Sequence, residues 1–130
     1  MLALPARAAQ PMPEKAWPAR TATLDDVTAR FDAGHPDKIV VPGREGVPAV
    51  VVTNGGTAAA RARMHVEVES FDGRPAAGEQ SVEVAAGESV RVPMPKEAFA
   101  RRGIKWVRFR LEGDGKRSAT AHVSFAYMEP

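Results

Sequence analysis

Residues 60–69, Ala60-Arg61-Ala62-Arg63-Met64-His65-Val66-Glu67-Val68-Glu69, put an apolar side chain at every even position and a charged or polar one at every odd position. A period of two belongs to a β-strand with one face buried; a helix would scatter these residues around its whole circumference. Working outward, the same alternation recurs. Val27, Ala29 and Phe31 are separated by Thr28 and Arg30, and Lys38 to Val41 resumes the pattern after Ala33-Gly34-His35-Pro36-Asp37. Pro48 to Thr53 reads as a strand ended by Asn54-Gly55-Gly56, where Asn-Gly signals a turn through positive φ. Ser81 to Val84 and Ser89 to Met94 flank the turn Ala85-Ala86-Gly87-Glu88, and one or two helical turns are expected over 96–102, ended by Gly103.

The last two strands run from Ile104 to Leu111 and from Ala119 to Tyr127, joined by a hairpin loop at Glu112-Gly113-Asp114-Gly115. In the final strand Ala119, Ala121, Val123, Phe125 and Tyr127 share a face. Its partner is less regular: Val107, Phe109 and Leu111 have one parity, while Ile104 and Trp106 have that of Arg108 and Arg110. Either a bulge near Lys105 shifts the phase, or Trp106 lies on the outer face.

Composition agrees with this reading, because 15 valines stand against 4 leucines and 2 isoleucines, and β-branched side chains suit a pleated surface. Seven to eight strands are expected, in an all-β, immunoglobulin-like sandwich of two antiparallel sheets. The sandwich is assigned to residues 23–130, since residues 1–22 hold four prolines and neither period, and so read as a tail or linker. Within that tail, Ala6-Arg7-Ala8 before Ala9 and Gln10 matches the small-residue end of a secretory signal, without its charged and apolar parts. A secreted or periplasmic location is the resulting expectation.

Several segments together resemble the immunoglobulin-like or fibronectin-III-like accessory domains attached to secreted bacterial glycoside hydrolases. They are Pro42-Gly43, Ala49-Val50-Val51-Val52-Thr53-Asn54-Gly55-Gly56, Val82-Glu83-Val84-Ala85-Ala86-Gly87-Glu88-Ser89-Val90 and Gly103-Ile104-Lys105-Trp106-Val107-Arg108-Phe109-Arg110-Leu111. The resemblance implies a noncatalytic module that packs against a neighbouring domain of its own polypeptide or another protein, with no catalytic residue and no cofactor. Two other roles follow from the residues: a carbohydrate-binding module, and a cell-envelope protein-interaction domain. The last would show an exposed apolar patch or an unpaired edge, for which Val47 to Val52 is the candidate template.

If the 60–69 strand and the last two strands share a sheet, one outer face carries Trp106, Arg108, Arg110, Arg61, Arg63, His65, Glu67 and His122. An exposed indole stacks on a pyranose while guanidiniums and carboxylates bond its hydroxyls, so these eight form the candidate polysaccharide site. The competing reading is a solvated face of cross-strand ion pairs.

Other chemistries find little support. The chain has no cysteine, which removes thiol nucleophiles, thiolate zinc sites and iron–sulfur clusters. No metal is expected, although His65, His122 and Glu67 would be the natural ligands, and Asp25, Asp26 and Asp37 lack EF-hand spacing. Glu67 and Glu69 stand at the spacing of some glycosidase pairs but on an open sheet among cations. Eighteen Lys+Arg against 16 Asp+Glu give a formal net charge of only +2, a weak signal for nucleic acid despite the cluster Arg101, Arg102, Lys105, Arg108 and Arg110. No apolar run is long enough to insert in a membrane as a helix.

Overall fold

The computed structural model describes residues 19–34, 39–41, 48–70, 75–115 and 117–128. Nine strands are present among them: β1 (Thr21–Leu24), β2 (Val27–Asp32), β3 (Ile39–Val40), β4 (Ala49–Asn54), β5 (Ala60–Ser70), β6 (Pro75–Val84), β7 (Ser89–Pro93), β8 (Gly103–Glu112) and β9 (Ser118–Tyr127). They form a four-stranded sheet in the order β1-β2-β4-β7 and a five-stranded sheet in the order β3-β9-β8-β5-β6. The chain crosses between sheets repeatedly, as in an immunoglobulin-like sandwich, and the all-β expectation holds. The turns expected at 35–37, 42–46 and 72–73, and the tail reading of residues 1–18, lie outside the described residues.

Alternation determines what is buried. Met64, Val66 and Val68 of β5, Val107, Phe109 and Leu111 of β8, and Ala121 and Phe125 of β9 point inward. They meet Val27 and Ala29 of β2, Val50 and Val52 of β4 and Val92 of β7 in one continuous core. Phe125 stacks on Phe31 at 5.3 Å between ring centres, and Phe99, on a 3-10 turn at Lys96–Phe99, tilts against both Phe125 and Tyr127. These rings fill the space between β2 and β9 with the offset geometries aromatic pairs prefer.

Several expectations are corrected. Among the described residues there are nine strands rather than seven or eight, because Thr21–Leu24 pairs with β2 in addition to the expected segments. β1 opens at Thr21, and β3 runs parallel to β9, so the second sheet is not purely antiparallel. Val50, Val51 and Val52 form no edge, because β4 lies between β2 and β7. The turn Ala85 to Glu88 joins the two sheets instead of closing a hairpin, since β6 and β7 belong to different sheets. The helical segment is confined to one 3-10 turn, and Gly103, at φ 127, opens β8.

Asn54 has a different role from the one its Asn-Gly dipeptide suggested. Neither it nor Gly55 or Gly56 is among the positive-φ residues. Its amide is fully buried: Nδ2 donates to the carbonyls of Ala58 (2.8 Å) and Val84 (3.0 Å), and Oδ1 accepts from Gly56 N–H (2.9 Å). Its backbone donates to Glu88 O and accepts from Gly87 N. One side chain thus ties the β4–β5 crossing to the β6–β7 crossing and positions the start of β5.

Candidate interaction face

The register of the five-stranded sheet decides what stands on its outer face. Across β5 and β8, Glu69 is opposite Trp106, Glu67 opposite Arg108 and His65 opposite Arg110. Across β8 and β9, Trp106 faces Ser124, Arg108 faces His122 and Arg110 faces Thr120. Across β5 and β6, Arg61 faces Glu83 and His65 faces Glu79. All eight residues of the candidate site therefore stand on this one face.

The ambiguity at Lys105 is settled without a bulge, because β8 and β9 pair in unbroken register from Gly103 to Glu112. Trp106 is outward and 47% exposed, while Lys105 takes the inward position and is 1% exposed. Lys105 Nζ reaches Ser70 Oγ at 2.7 Å. The four-carbon stem of lysine can lie along apolar neighbours while its ammonium reaches a polar group at the sheet margin.

The arginines are engaged with glutamates. Arg108 donates to Glu67 Oε2 at 2.8 Å, Arg63 lies 3.2 Å from Glu79, Arg110 3.5 Å from Glu112 and Arg61 3.6 Å from Glu83. His65 sits between two of these carboxylates, with Nδ1 3.1 Å from Glu79 and Nε2 3.4 Å from Glu112. The latter approach is poorly directed, and Nε2 makes no hydrogen bond among the described residues. This is a cross-strand network linking β6, β5 and β8. A shallow groove of about 450 Å³ runs over it, lined by His65, Glu67, Gly78, Glu79, Arg108 and Arg110, and a recess of about 220 Å³ adjoins Trp106, Glu69 and His122.

His65 and His122 do not meet. β8 lies between their strands and they occupy different rows, so the lateral separation alone is roughly 10 Å. Among the described residues no group of three His, Asp or Glu side chains is placed to hold a metal ion. The basic cluster is also dispersed: Lys105 is in the core, Arg108 and Arg110 are paired with glutamates, and Arg101 and Arg102 stand just ahead of β8. The clearly perturbed acids lie elsewhere. Hydrogen bonding to Arg117 holds the Asp25 carboxyl below the usual carboxylate range, and Arg91 with the Gly34 N–H does the same for Asp32 on the other sheet.

Sequence reasoning missed a feature at one corner of this face. Trp106, Ile104, Ile39 and Met128 are the exposed large apolar side chains of the described residues. Ile104 stands opposite Ala126 on β9, Ala126 is opposite Ile39 on β3, Trp106 is two positions along from Ile104, and Met128 N bonds Val40 O. Four scattered sequence positions thus gather into one apolar corner. The shared parity of Ile104 and Trp106 was the only signal for it in the sequence; Ile39 joins through a parallel pairing that no local pattern announces.

No helix among the described residues is long and apolar enough to cross a membrane. In comparisons with known proteins, no family model matches the chain, and no curated protein matches it.

Proposed function

We propose that this chain is a noncatalytic accessory module that works by packing against a neighbouring domain or protein through the outer face of its five-stranded sheet. The observation that carries the reading is the apolar corner, where Ile104 and Trp106 are 48% and 47% exposed beside Ile39 and Met128. Exposed large apolar side chains gathered in one patch mark an interaction surface, whereas scattered ones need no explanation. In the fuller form of the proposal the module belongs to a larger exported bacterial protein of the glycoside-hydrolase kind, located outside the cytoplasm. The resemblance of its strand and turn motifs supports that setting.

A second reading, carbohydrate binding, is favoured by one observation: the recess beside the exposed Trp106 indole. The arginine–glutamate pairing weighs against it, because a sugar would have to compete for each guanidinium. Two experiments separate the readings. A photo-crosslinking residue at position 104 or 106, introduced in cells making the protein, should capture the same polypeptide contact from both positions and none from position 28 on the other sheet. Equal or absent crosslinking at all three would refute packing. In a Trp17→Phe variant, whose only indole is Trp106, soluble polysaccharides should leave emission unchanged. A saturable shift abolished by Trp106→Ala in a folded protein would replace packing by glycan binding.

A further inference from the structure

Four strands form the margins of the two sheets, β1 and β7 in one, β3 and β6 in the other. Three of them are brief: β1 has four residues, β3 two, and β7 five, ending at Pro93. β6 has ten, paired with β5 in unbroken register from Pro75 to Val84. A strand at a margin turns every second N–H and C=O away from its neighbour, a template that proteins ordinarily blunt with brevity, proline, lysine or a bulge. β6 has its proline only at the first position, and it has no lysine and no bulge.

The flank of this strand is open as well as long. Where one face of a strand is covered, exposure alternates, as it does along β8; from Ala77 to Ser81 every residue of β6 is exposed. Among the described residues, the hydrogen bond that reaches β6 from outside β5 falls at its very end, where Asn54 Nδ2 donates to Val84 O.

The side chains beside this edge select its occupant. The rows of the outer face end on β6 in Glu79 and Glu83, with Ser81 between them. Both carboxylates are more than half exposed, and their partners Arg63, His65 and Arg61 all stand on β5. A carboxylate can accept about four hydrogen bonds, so a cation on an added strand need not displace those partners. On the inner face Val82 and Val84 are buried, and alternate apolar side chains of an added strand would extend that layer. A second copy of β6 is a poor occupant. Antiparallel pairing centred on the exposed stretch sets Glu79 against or beside Glu79 and Glu83 of the copy, and like charges across strands are destabilising.

We propose that the β6 edge is a β-augmentation site for an extended segment of a partner protein with Lys or Arg at two positions four residues apart. A small polar residue stands midway between them, opposite Ser81, and apolar residues fill the positions between. The backbone ladder supplies the affinity, while Glu79 and Glu83 select sequence and register. The edge lies across the sheet from the apolar corner on β8, β9 and β3, so it is a second surface and does not depend on the first.

The test is an amide NMR titration of the full chain with the peptide Thr-Lys-Val-Thr-Val-Lys-Val-Thr. Saturable shifts are expected at Gly78 to Val84, with Thr28 and Arg30 on the other sheet unmoved. Replacing both lysines by glutamate should weaken binding roughly ten-fold or more, and the double variant Glu79→Gln, Glu83→Gln should erase the difference between the two peptides. Methylating one alternate set of peptide nitrogens should abolish the shifts while methylating the other preserves them, since a single set faces β6. No shift at β6 with millimolar peptide, or shifts indifferent both to the lysines and to the methylated set, would overturn the proposal. So would shifts of the same amides on dilution of the chain alone, which assign the edge to a second copy. Slow hydrogen exchange at every β6 amide of the free monomer would also overturn it, by assigning the edge to another segment of this chain. None of these outcomes alters crosslinking from positions 104 and 106, so the edge and the packing surface stand or fall separately.

Discussion

Replacing Asn54 by alanine should be among the most damaging single changes outside the aromatic core. The substitution strips partners from three backbone groups: the carbonyls of Ala58 and Val84, bonded at 2.8 and 3.0 Å, and the Gly56 N–H, bonded at 2.9 Å. Asn54 is itself buried, and water has little access to repair the loss. A buried polar group left without a partner costs about 1–3 kcal/mol, and with partial relaxation of the crossings the total should come to about 3 kcal/mol. In a domain of this size that lowers the melting temperature by roughly 10 °C. Asn54→Asp adds a sharper test, because its carboxylate would replace the Nδ2 donor and face two carbonyl oxygens. Its folded-state pKa must then lie above the unfolded value of about 3.9, so the protonated form is favoured in the fold. The penalty relative to wild type is smallest in acid, and it grows as pH rises above the unfolded value until the folded value is passed. Urea unfolding of the three proteins between pH 4 and pH 7 reads both effects. An alanine variant within about 0.5 kcal/mol of wild type, the scale of ordinary surface changes, would refute the role assigned to Asn54, as would an aspartate variant with a pH-independent deficit.

On the other sheet, Asp32 has its carboxyl pKa lowered by Arg91 and by the Gly34 N–H; its contribution is full above the unfolded value of about 3.9 and is lost as pH falls through the folded value. Both side chains are partly exposed, so Arg91→Ala should cost under about 1 kcal/mol at neutral pH, and the difference from wild type should shrink in acid unfolding curves. Phe125 stacks on Phe31 and contacts Phe99, so Phe125→Ala should lose about 3–5 kcal/mol in urea titrations, more than Phe99→Ala at the half-buried margin. Gly87 has φ 74, and a methyl group added to its Cα would meet no other atom within 4 Å. Gly87→Ala should therefore cost about 1 kcal/mol through backbone strain alone, and a loss of several kcal/mol by thermal melting would contradict that account.

The parts of the fold that were legible share a physical cause. β5 and β9 are half-buried along most of their length, so their alternation is written in residue type and their outer residues could be named from the sequence. β6 is longer than the Ser81 to Val84 segment because Pro75 to Gln80 lie on an edge and are mostly exposed, held by pairing with β5 rather than by apolar content. The unrecognised stretch carries Glu79, so the contacts of Arg63 and His65 with it were hidden as well. At Lys105 hydropathy left two phases open, since the burial of a lysine is decided by whether its ammonium finds a partner. Here the partner is Ser70, 35 residues away along the chain but on the adjacent strand. Asn54 was read from its neighbours in sequence, whereas its function comes from Val84 and Glu88, brought in by two crossings.

The outer face divides into two regions with different energetics. Over the rows from Arg61 to Arg108, each arginine has a glutamate within 3.6 Å, so a ligand that bonds one of these groups must first displace an existing partner. Exchange of one exposed ion pair for another yields little net free energy. The corner around Ile104, Trp106, Ile39 and Met128 makes no such exchange: covering it removes apolar surface from water at about 25 cal/mol per Å², limited mainly by the cost of ordering the occupant. If this face packs against a partner as proposed, its paired half sets orientation and its apolar half supplies the affinity. An adjoining domain of the same polypeptide, with its ordering cost already reduced by covalent connection, is the kind of occupant for which that small patch is sufficient.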